Sequence, residues 1–212
     1  MKSGISHLRK NYSLNELNEN QIGMDPFLLF DTWFKNAKES GVLEPNAMAV
    51  STFTNQKVHS RILLLKDYNT EGFSFFTNYE SNKGIELSKK PFASMLFFWD
   101  RLERQIRIEG SVKKLSTKLS TEYFHSRPID SQIGAWASNQ SRVVESREKL
   151  EEQFLLFKKK FEGKKIPKPK HWGGYILIPE LFEFWQGRPN RLHDRILFIK
   201  SKKKWSRRRL SP

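Results

Sequence analysis

Residues 184–195 read Phe-Trp-Gln-Gly-Arg-Pro-Asn-Arg-Leu-His-Asp-Arg, and this stretch governs how the whole chain is interpreted. The aromatic residues at its start are typical of a strand. Gly187 and Pro189 predict a turn, and the apolar run over 196–199 predicts a second strand after it. The stretch therefore indicates a hairpin in a mainly β protein.

Three basic side chains follow that turn at alternating positions, namely Arg191, His193 and Arg195. Alternate residues of a strand point to the same face, so we expect the three to share one face. Two guanidiniums and an imidazole beside a tryptophan suit a planar anionic ligand. On this stretch alone, a basic hairpin edge that faces solvent is the simpler interpretation, because charged edge strands are common.

The composition narrows the classes of function. Of 212 residues, 38 are Lys or Arg and 23 are Asp or Glu, which gives a net charge of +15. This excess predicts attraction to phosphorylated small molecules, nucleic acid or acidic membranes. The absence of cysteine excludes disulfides and thiolate catalysis, and the five histidines lack metal-ligand spacing, so we expect no metal site.

The organisation along the chain predicts one domain at 21–212, preceded by a mobile N-terminal arm at 1–20, and a disordered tail explains the composition of that arm equally well. No apolar run approaches the ~18 residues of a membrane span. The N-terminus also lacks the apolar core of a signal peptide. We therefore expect a cytoplasmic protein.

Hydrophobic periodicity distinguishes strands from helices. A period of two predicts strands at 48–53, 58–66, 72–77, 92–99, 102–115, 174–179, 181–186, 195–200 and 204–210. Helical spacing and stop signals predict helices at 26–40, 81–89, 117–126, a helix with Pro128 in its first turn, and a helix up to 161 with Ser141 as N-cap. The lysine-rich segment 158–170 is interpreted as a solvated linker. Many short strands with inserted helices favour an antiparallel barrel with helical additions.

Two groups of residues suit phosphate. Arg61 and Lys66 leave the predicted strand 58–66 on opposite faces and so meet different surroundings. Tyr123, Arg127 and Ser131 are spaced by four around a proline, so they converge where one helix ends and another begins. A surface helix pair with an incidental arginine explains the second group equally well.

The chain resembles the pyridoxamine 5′-phosphate oxidases, a family of FMN enzymes. The resemblance rests on ordered motifs at 8–12, 61–66, 76–78, 103–105, 123–128, 131–136, 140–141, 172–174, 184–187, 191–195 and 209–212. It implies an FMN-binding split β-barrel, antiparallel and homodimeric, with FMN at the subunit interface. It also implies oxidation of pyridoxamine or pyridoxine 5′-phosphate to pyridoxal 5′-phosphate by O₂, with release of H₂O₂.

The resemblance also assigns roles to single residues. Cofactor contacts are implied for Arg61, Ile62, Leu65, Lys66, Phe76, Thr77, Asn82, Lys83, Gln105, Gln140, Ser141, Trp185 and Arg195. Substrate contacts are implied for Arg9, Tyr12, Lys66, Tyr123, Arg127, Ser131, Arg191 and His193. Among these, Arg191 and His193 match the catalytic residues over the pyridine ring, and Arg9 and Tyr12 resemble an N-terminal lid.

One departure from the family pattern concerns the cofactor phosphate. The family usually has Arg-Lys where this chain has Asn82-Lys83. A charge-assisted contact is typically worth about 1.5–3 kcal/mol, so we expect weaker retention of FMN.

Two rival classes stay open at this stage. One is a related split-barrel protein that binds a flavin without oxidising pyridoxamine phosphate. The other is a nucleic-acid binder that uses the basic stretch 200–209, although its single aromatic residue, Trp205, is more typical of a solvated edge strand.

Overall fold

A computed structural model describes residues 4–8, 10–54 and 56–212. The chain divides into two compact units. The first unit comprises Met1–Val50, Ser94–Gly110 and Pro179–Pro212, and the second unit comprises Ser51–Ala93 and Ser111–Ile178. Among the described residues, no helix combines the length and apolar character that crossing a membrane requires.

In the described part of the chain, nine strands form one sheet. The strands are β1 (Ala47–Phe53), β2 (Val58–Leu64), β3 (Asp67–Asn69), β4 (Gly72–Asn78), β5 (Phe92–Trp99), β6 (Arg104–Lys114), β7 (Trp172–Gln186), β8 (Asp194–Ser201) and β9 (Lys204–Leu210). Their hydrogen-bonded order is β2-β1-β5-β6-β7-β4-β3, with β8 between β7 and β9. The pairs β3–β4, β4–β7, β7–β8 and β8–β9 are antiparallel, as expected from the hairpin turns.

Strand β7 is longer than the sequence indicated. We expected two strands at 174–179 and 181–186, but the structure has one strand of 15 residues. Its first half pairs with β4 and its second half with β8, so different partners stabilise the two halves. Pro179 interrupts the local pattern, but proline removes only one donor, and a strand can continue past it.

The helices are α1 (Pro26–Glu39), α2 (Asn82–Lys89), α3 (Thr117–Ser126), α4 (Ile129–Ala137) and α5 (Arg147–Lys160). In the first unit, α1 begins after the cap Asp25 and buries Phe30 and Trp33. The Phe30 ring lies 5.4 Å from that of Phe97, and the Trp33 ring lies 5.3 Å from that of Phe184. These edge-to-face contacts attach α1 to β5 and β7.

The apolar stripe of α5 packs within the second unit. Phe154, Phe157 and Phe161 lie against a buried cluster that includes Phe124 and Trp172. Helical spacing along 141–161 places Leu150, Phe154, Phe157 and Phe161 on one stripe, which predicts a core or a subunit contact, and the core contact is confirmed. The predicted N-cap is wrong, because Ser146 caps the helix and Ser141 lies upstream with a φ of 70°. An N-cap needs an extended backbone, which the left-handed Ser141 does not have.

The lysine-rich segment 158–170 is not a solvated linker. Its first residues belong to α5, and Ile166 is buried in the core of the second unit. The Ile166 carbonyl accepts a hydrogen bond from His125 Nε2 at 3.0 Å, and the Pro167 carbonyl accepts one from Trp136 Nε1 at 2.8 Å. One apolar residue and two backbone carbonyls therefore anchor this lysine-rich segment to the second unit.

The turn after β7 corrects the expectation of one shared face. Residues Pro189–Arg191 form a 3₁₀ turn, in which Asn190 and Arg191 have φ values of 57° and 62°. Strand β8 begins only at Asp194, so alternation along a strand does not apply to Arg191 or His193. Of the three basic residues, only Arg195 belongs to the strand, opposite Trp185.

Two helical glycines provide a matched test of packing. Alanine in place of glycine usually stabilises a helix by about 1 kcal/mol. A Cβ at Gly84 in α2 would lie 2.2 Å from the Tyr79 carbonyl oxygen, whereas a Cβ at Gly134 in α4 meets nothing within 4 Å. We expect Gly84→Ala to lower the free energy of unfolding by about 2 kcal/mol and Gly134→Ala to raise it by about 0.5–1 kcal/mol. Urea unfolding followed by circular dichroism measures both, and equal effects would contradict the assigned packing.

Candidate active site

A cavity of about 630 Å³ lies within the second unit. Its wall comes from the end of β2, from β4, from the junction of α3 and α4, and from the loop after α4. The sequence-predicted residues that line it are Ile62, Lys66, Phe76, Thr77, Tyr123, Arg127, Ser131 and Gln140. The volume is typical of a small-molecule site.

Arg127 occupies the junction between α3 and α4, as the proline after it predicted. Its guanidinium carbon lies 4.7 Å from the centre of the Trp172 ring, and burial lowers its pKa. Within residues 4–8, 10–54 and 56–212, its Nη1 is buried without a hydrogen-bond partner. A buried cationic donor without a hydrogen-bond partner lowers the stability of the folded protein, unless a bound anion accepts its hydrogen bond.

The first turn of α4 adds further donors beside Arg127. The first backbone N–H groups of any α-helix lack intrahelical partners. In α4 the N-cap residue is Pro128, whose side chain makes no capping bond to them. Ser131 lies in this turn and lines the cavity. Free N–H groups and a guanidinium at a helix start are favourable for a phosphate group.

Stacked aromatic rings form one side of the cavity. The Phe76 ring lies 3.9 Å from that of Tyr123 and 5.6 Å from that of Trp172, nearly parallel to both. The stack joins β4, α3 and β7. It places Tyr123 in the cavity wall, which Arg127 also lines. The position of Tyr123 is thus set by tertiary packing.

A second cation, Lys83, adjoins the cavity through Thr77. Its Nζ donates to Thr77 Oγ1 at 3.1 Å and to Ser81 Oγ at 3.3 Å, and Thr77 also donates to Gln140 at 3.3 Å. Burial and, to a smaller extent, the positive charge of Arg61 lower the pKa of Lys83 to about 8, although the nearby Glu86 carboxylate opposes this shift. Ser141 follows Gln140 in a left-handed conformation that turns the loop at this point.

Arg61 is held by a carboxylate that the sequence interpretation missed. Its Nη1 donates to Thr52 Oγ1 at 2.6 Å, and its Nη2 lies 3.4 Å from the Glu86 carboxylate, which also contacts Thr52 and, at 2.7 Å, His59 Nδ1. Burial raises the pKa of Glu86, but the bonds from Thr52 and His59 outweigh it, so the net pKa is lowered. Glu86 lies one helical turn from Lys83, which is the signal that could have revealed it.

The other residues of this unit for which cofactor contacts were predicted differ in their solvent exposure. Ile62 and Lys66 are exposed side chains in the cavity wall, whereas Leu65 between them is buried in the core. Asn82 is exposed as the first residue of α2. The predicted strand 58–66 is too long, because β2 ends at Leu64 and alternation along it does not apply to Lys66. Arg61 and Lys66 nevertheless have different surroundings, since Lys66 lines the cavity and Arg61 pairs with Glu86.

This donor set fits the phosphate of FMN. Two cations, Arg61 and Lys83, are grouped with the hydroxyl of Thr77 and the amide of Gln140. Lys83 is buried beside another positive charge, an arrangement that a bound dianion would stabilise. Arg127 lies on a different element, at the C-terminal end of α3, and could hold a second, separate anion.

The first unit contains a second cavity, of about 500 Å³. Tyr12, Arg188, Asn190, Arg191 and His193 are part of its wall. His193 Nδ1 accepts a hydrogen bond from the Arg188 backbone N–H at 3.1 Å, so the neutral ring carries its proton on Nε2. Burial lowers the pKa of His193, and the charge of Arg191 adds to this effect.

Three rings form an aromatic group beside that cavity. The Trp185 ring lies 4.7 Å from His193 and 5.6 Å from Tyr12, and the Tyr12 ring lies 5.8 Å from His193. A Cβ on Gly187 would come within 2.7 Å of the Tyr12 ring, so the glycine makes room for it. Arg9, the other predicted lid residue, lies outside the described residues.

Arg195 is held by a second carboxylate that the sequence interpretation missed. Its Nε and Nη2 each lie 2.7 Å from Glu183 Oε1, and its Nη1 donates to the Ser211 carbonyl at 2.8 Å. Glu183 also accepts from Arg107 at 2.6 Å. Burial raises the pKa of Glu183, but the two arginines lower it overall. Gln105 is half-buried two residues before Arg107 on β6.

Comparison with known proteins identifies the family. The family model described as pyridoxamine 5′-phosphate oxidase matches residues 34–159, more than half of the chain. A second model, the pyridoxine 5′-phosphate oxidase C-terminal dimerisation region, matches residues 172–212. A pyridoxine/pyridoxamine 5′-phosphate oxidase of Gloeothece citriformis is 50% identical over 215 residues and covers 100% of both chains. One from Leptospira biflexa is 51% identical over 209 residues, which cover 98% of this chain and 99% of the relative.

Solved structures agree with this assignment. PhzG from Burkholderia lata, in complex with tetrahydrophenazine-1-carboxylic acid, has a TM-score of 0.88 at 28% identity and covers 94% of this chain and 100% of its own. A pyridoxamine 5′-phosphate oxidase-related, FMN-binding protein from Nostoc punctiforme has a TM-score of 0.70 at 12% identity over 90% of this chain and 100% of its own, which shows the fold alone. The predicted split-barrel fold is confirmed. The chain therefore belongs to the pyridoxine/pyridoxamine 5′-phosphate oxidase family of oxidoreductases.

Proposed function

We propose that this protein oxidises pyridoxine or pyridoxamine 5′-phosphate to pyridoxal 5′-phosphate, with FMN as cofactor and O₂ as electron acceptor, and releases H₂O₂. The observation that carries the proposal is Arg127, which lines the cavity of the second unit and whose buried Nη1 has no hydrogen-bond partner among the described residues. The Arg127 guanidinium would be stabilised by an anion of its own, in addition to the anion that Lys83 and Arg61 would hold. A flavin phosphate and a substrate phosphate meet both requirements.

Arg127 and its neighbours are proposed to bind the substrate phosphate. Lys66 supplies a second positive charge, and Tyr123 and Ser131 supply hydroxyl groups in the same wall. The guanidinium lies over Trp172, so its orientation is fixed before a ligand arrives. A preorganised donor loses less conformational entropy on binding than a solvated one.

The FMN phosphate is proposed to bind between Arg61 and Lys83, beside Asn82, Gln140 and Ser141. The surrounding cavity wall includes Ile62, Phe76 and Thr77. Leu65 is buried in the core and is proposed to support that wall. When bound, FMN accepts hydride from the substrate and passes the electrons to O₂. The protein contributes charge, orientation and exclusion of water. The expectation of weaker FMN retention, drawn from Asn82, stays a prediction.

Arg191 and His193 are proposed to act on the pyridine ring of the substrate. With Nδ1 occupied by the Arg188 N–H, the Nε2–H of neutral His193 is available to donate. Arg191 is exposed in a left-handed backbone conformation, which projects its side chain from the turn. Gln105, Trp185 and Arg195 are proposed to contact the flavin ring. Arg9 and Tyr12 are proposed to cover the substrate.

We further propose a homodimer with FMN at the subunit interface. The support is the match of residues 172–212, which contain β7, β8 and β9, to a region described as a dimerisation region. The basic surface is proposed to be solvated and not to bind nucleic acid. A cytoplasmic location stays a prediction.

The likeness to PhzG offers a second candidate, the oxidation of a reduced polycyclic aromatic acid. The ligand of that structure carries a carboxylate and no phosphate. The donors that line the cavity with Arg127 suit a phosphate, since they include Lys66 and Ser131, and the N-terminus of α4 begins beside them. We therefore favour the phosphorylated pyridine.

The visible spectrum of the purified protein with added FMN tests the proposed function. Under anaerobic conditions, pyridoxine 5′-phosphate should bleach the flavin bands, because the substrate reduces bound FMN. Admission of air should restore the bands and yield an aldehyde product with the absorbance of pyridoxal 5′-phosphate. A bound flavin that only a dihydrophenazine-type acid bleaches would favour the second candidate, and a flavin that neither bleaches would refute both.

Arg127→Met removes the buried guanidinium and keeps an apolar side chain of similar length. The loss of charge-assisted hydrogen bonds worth about 1.5–3 kcal/mol should raise the KM for pyridoxine 5′-phosphate about 10- to 100-fold. Retention of FMN should not change, because the cofactor phosphate has its own cations. The matched control is Arg147→Met, on the exposed face of α5 in the same unit. An unchanged KM in Arg127→Met would contradict the assignment of the substrate phosphate.

The pKa of Lys83 predicts how FMN affinity depends on pH. Below its pKa of about 8 the ammonium is charged and attracts phosphate, and above it the amine is neutral. FMN affinity should therefore fall as the pH rises from about one unit below to about one unit above that value. Flavin fluorescence quenching at a series of pH values measures this change. Lys83→Met should bind FMN more weakly and lose this part of the pH dependence, and an unaltered profile in the variant would rule out Lys83 as its source.

A further inference from the structure

Glu103 is a buried carboxylate to which neither the sequence nor the family comparison assigned a role. It lies in the first unit, after the 3₁₀ turn Asp100–Leu102 and just before β6, and its side chain is 1% exposed. Its φ of 54° is in the left-handed region, which glycine and asparagine adopt more readily than glutamate. A glutamate at such a position suggests that its side chain has a use.

The carboxylate binds the N-terminal segment 10–14. Its Oε2 accepts hydrogen bonds from the backbone N–H groups of Ser13 at 2.9 Å and Leu14 at 3.1 Å. Its Oε1 lies 3.1 Å from Lys10 Nζ. Burial raises the pKa of Glu103, but the Leu14 N–H, Lys10 and the Ser13 N–H lower it overall, so the group is charged at neutral pH.

The backbone of the same residue binds the turn that carries the catalytic candidates. The Glu103 carbonyl accepts hydrogen bonds from the Gly187 N–H at 2.7 Å and from Gln186 Nε2 at 3.2 Å. Gly187 opens the turn that contains Arg191 and His193. One residue therefore contacts both segments that line the cavity of the first unit.

Tyr12 lies between the two attachment points of the N-terminal segment. Lys10 precedes it and Ser13 follows it, and both bind Glu103. Its ring packs against Trp185 and His193, in the space that Gly187 leaves free. With both sides attached, the Tyr12 ring has little freedom to leave the aromatic group.

We propose that Glu103 is a positioning residue, which holds segment 10–14 over the turn 187–193 so that Tyr12 covers the bound substrate. The identity of that substrate rests on the proposed function. The position of the segment does not, because it follows from the hydrogen bonds of Glu103.

Two variants of Glu103 test the proposal. Glu103→Gln removes the charge and the ion pair with Lys10 but keeps an acceptor oxygen. Glu103→Gly removes the whole side chain and suits the left-handed backbone, so the fold should be retained. The matched control is Glu44→Gln, at an exposed position of the same unit.

Amide hydrogen exchange of the FMN-loaded protein gives the first readout. The amides of Ser13 and Leu14 should exchange faster in the order wild type, Glu103→Gln, Glu103→Gly, with about a tenfold increase in the last. Exchange in β8 and β9 should not change, and Glu44→Gln should match the wild type. Unchanged exchange at Ser13 and Leu14 in Glu103→Gly would overturn the proposal.

Steady-state kinetics with pyridoxine 5′-phosphate gives the second readout. The KM should rise about tenfold in Glu103→Gly, with kcat changed much less, because a loosened cover removes binding energy that ground state and transition state share. Faster exchange with an unchanged KM would overturn the role in substrate binding. If the wild-type protein does not oxidise the substrate, the proposed function fails, and the exchange experiment still decides the role of Glu103 in holding the segment.

Discussion

Burial of positive charge without a direct ion pair is the constraint on which the candidate active site depends. Lys83 and Arg127 are both partly desolvated in the second unit, and burial lowers the pKa of each. Neither is paired with an acidic side chain in the contacts described, and Nη1 of Arg127 has no hydrogen-bond partner there. Such groups reduce the stability of the ligand-free protein, and a bound phosphate removes that cost. The same physical argument supports the proposal that this site binds anions.

The buried carboxylates of the chain have the complementary task. Glu86 holds Arg61, Glu183 holds Arg195 and Arg107, and Glu103 holds the N-terminal segment. Each keeps its negative charge because hydrogen bonds and cations outweigh the effect of burial on its pKa. Their hydrogen bonds and ion pairs fix the direction of the side chains and of the segment that they contact. A protein with a net charge of +15 thus uses its few buried acids to order selected arginines and lysines.

Most of the secondary structure could be predicted because it depends on local signals. Strand β5 and strand β9 have the predicted bounds, and Pro26, Ser81 and Pro128 start helices where their chemistry suggested. The errors have non-local causes. Strand β7 continues through its predicted break because β4 and β8 pair with its two halves. Ile166 anchors the segment 158–170 to the core although the composition of that segment is that of a linker.

The sequence by itself determined the family to which the chain belongs and which residues are candidates for the site, because motifs such as 123–128 and 184–195 are read along the chain. Only the tertiary structure decided how these residues are held. Glu103 binds Ser13, which is 90 residues away, and Glu86 binds Arg61, which is 25 residues away. Local patterns carry no information about such partners. The left-handed turn at Arg191 and the unpartnered nitrogen of Arg127 likewise arise from packing that only the folded chain creates.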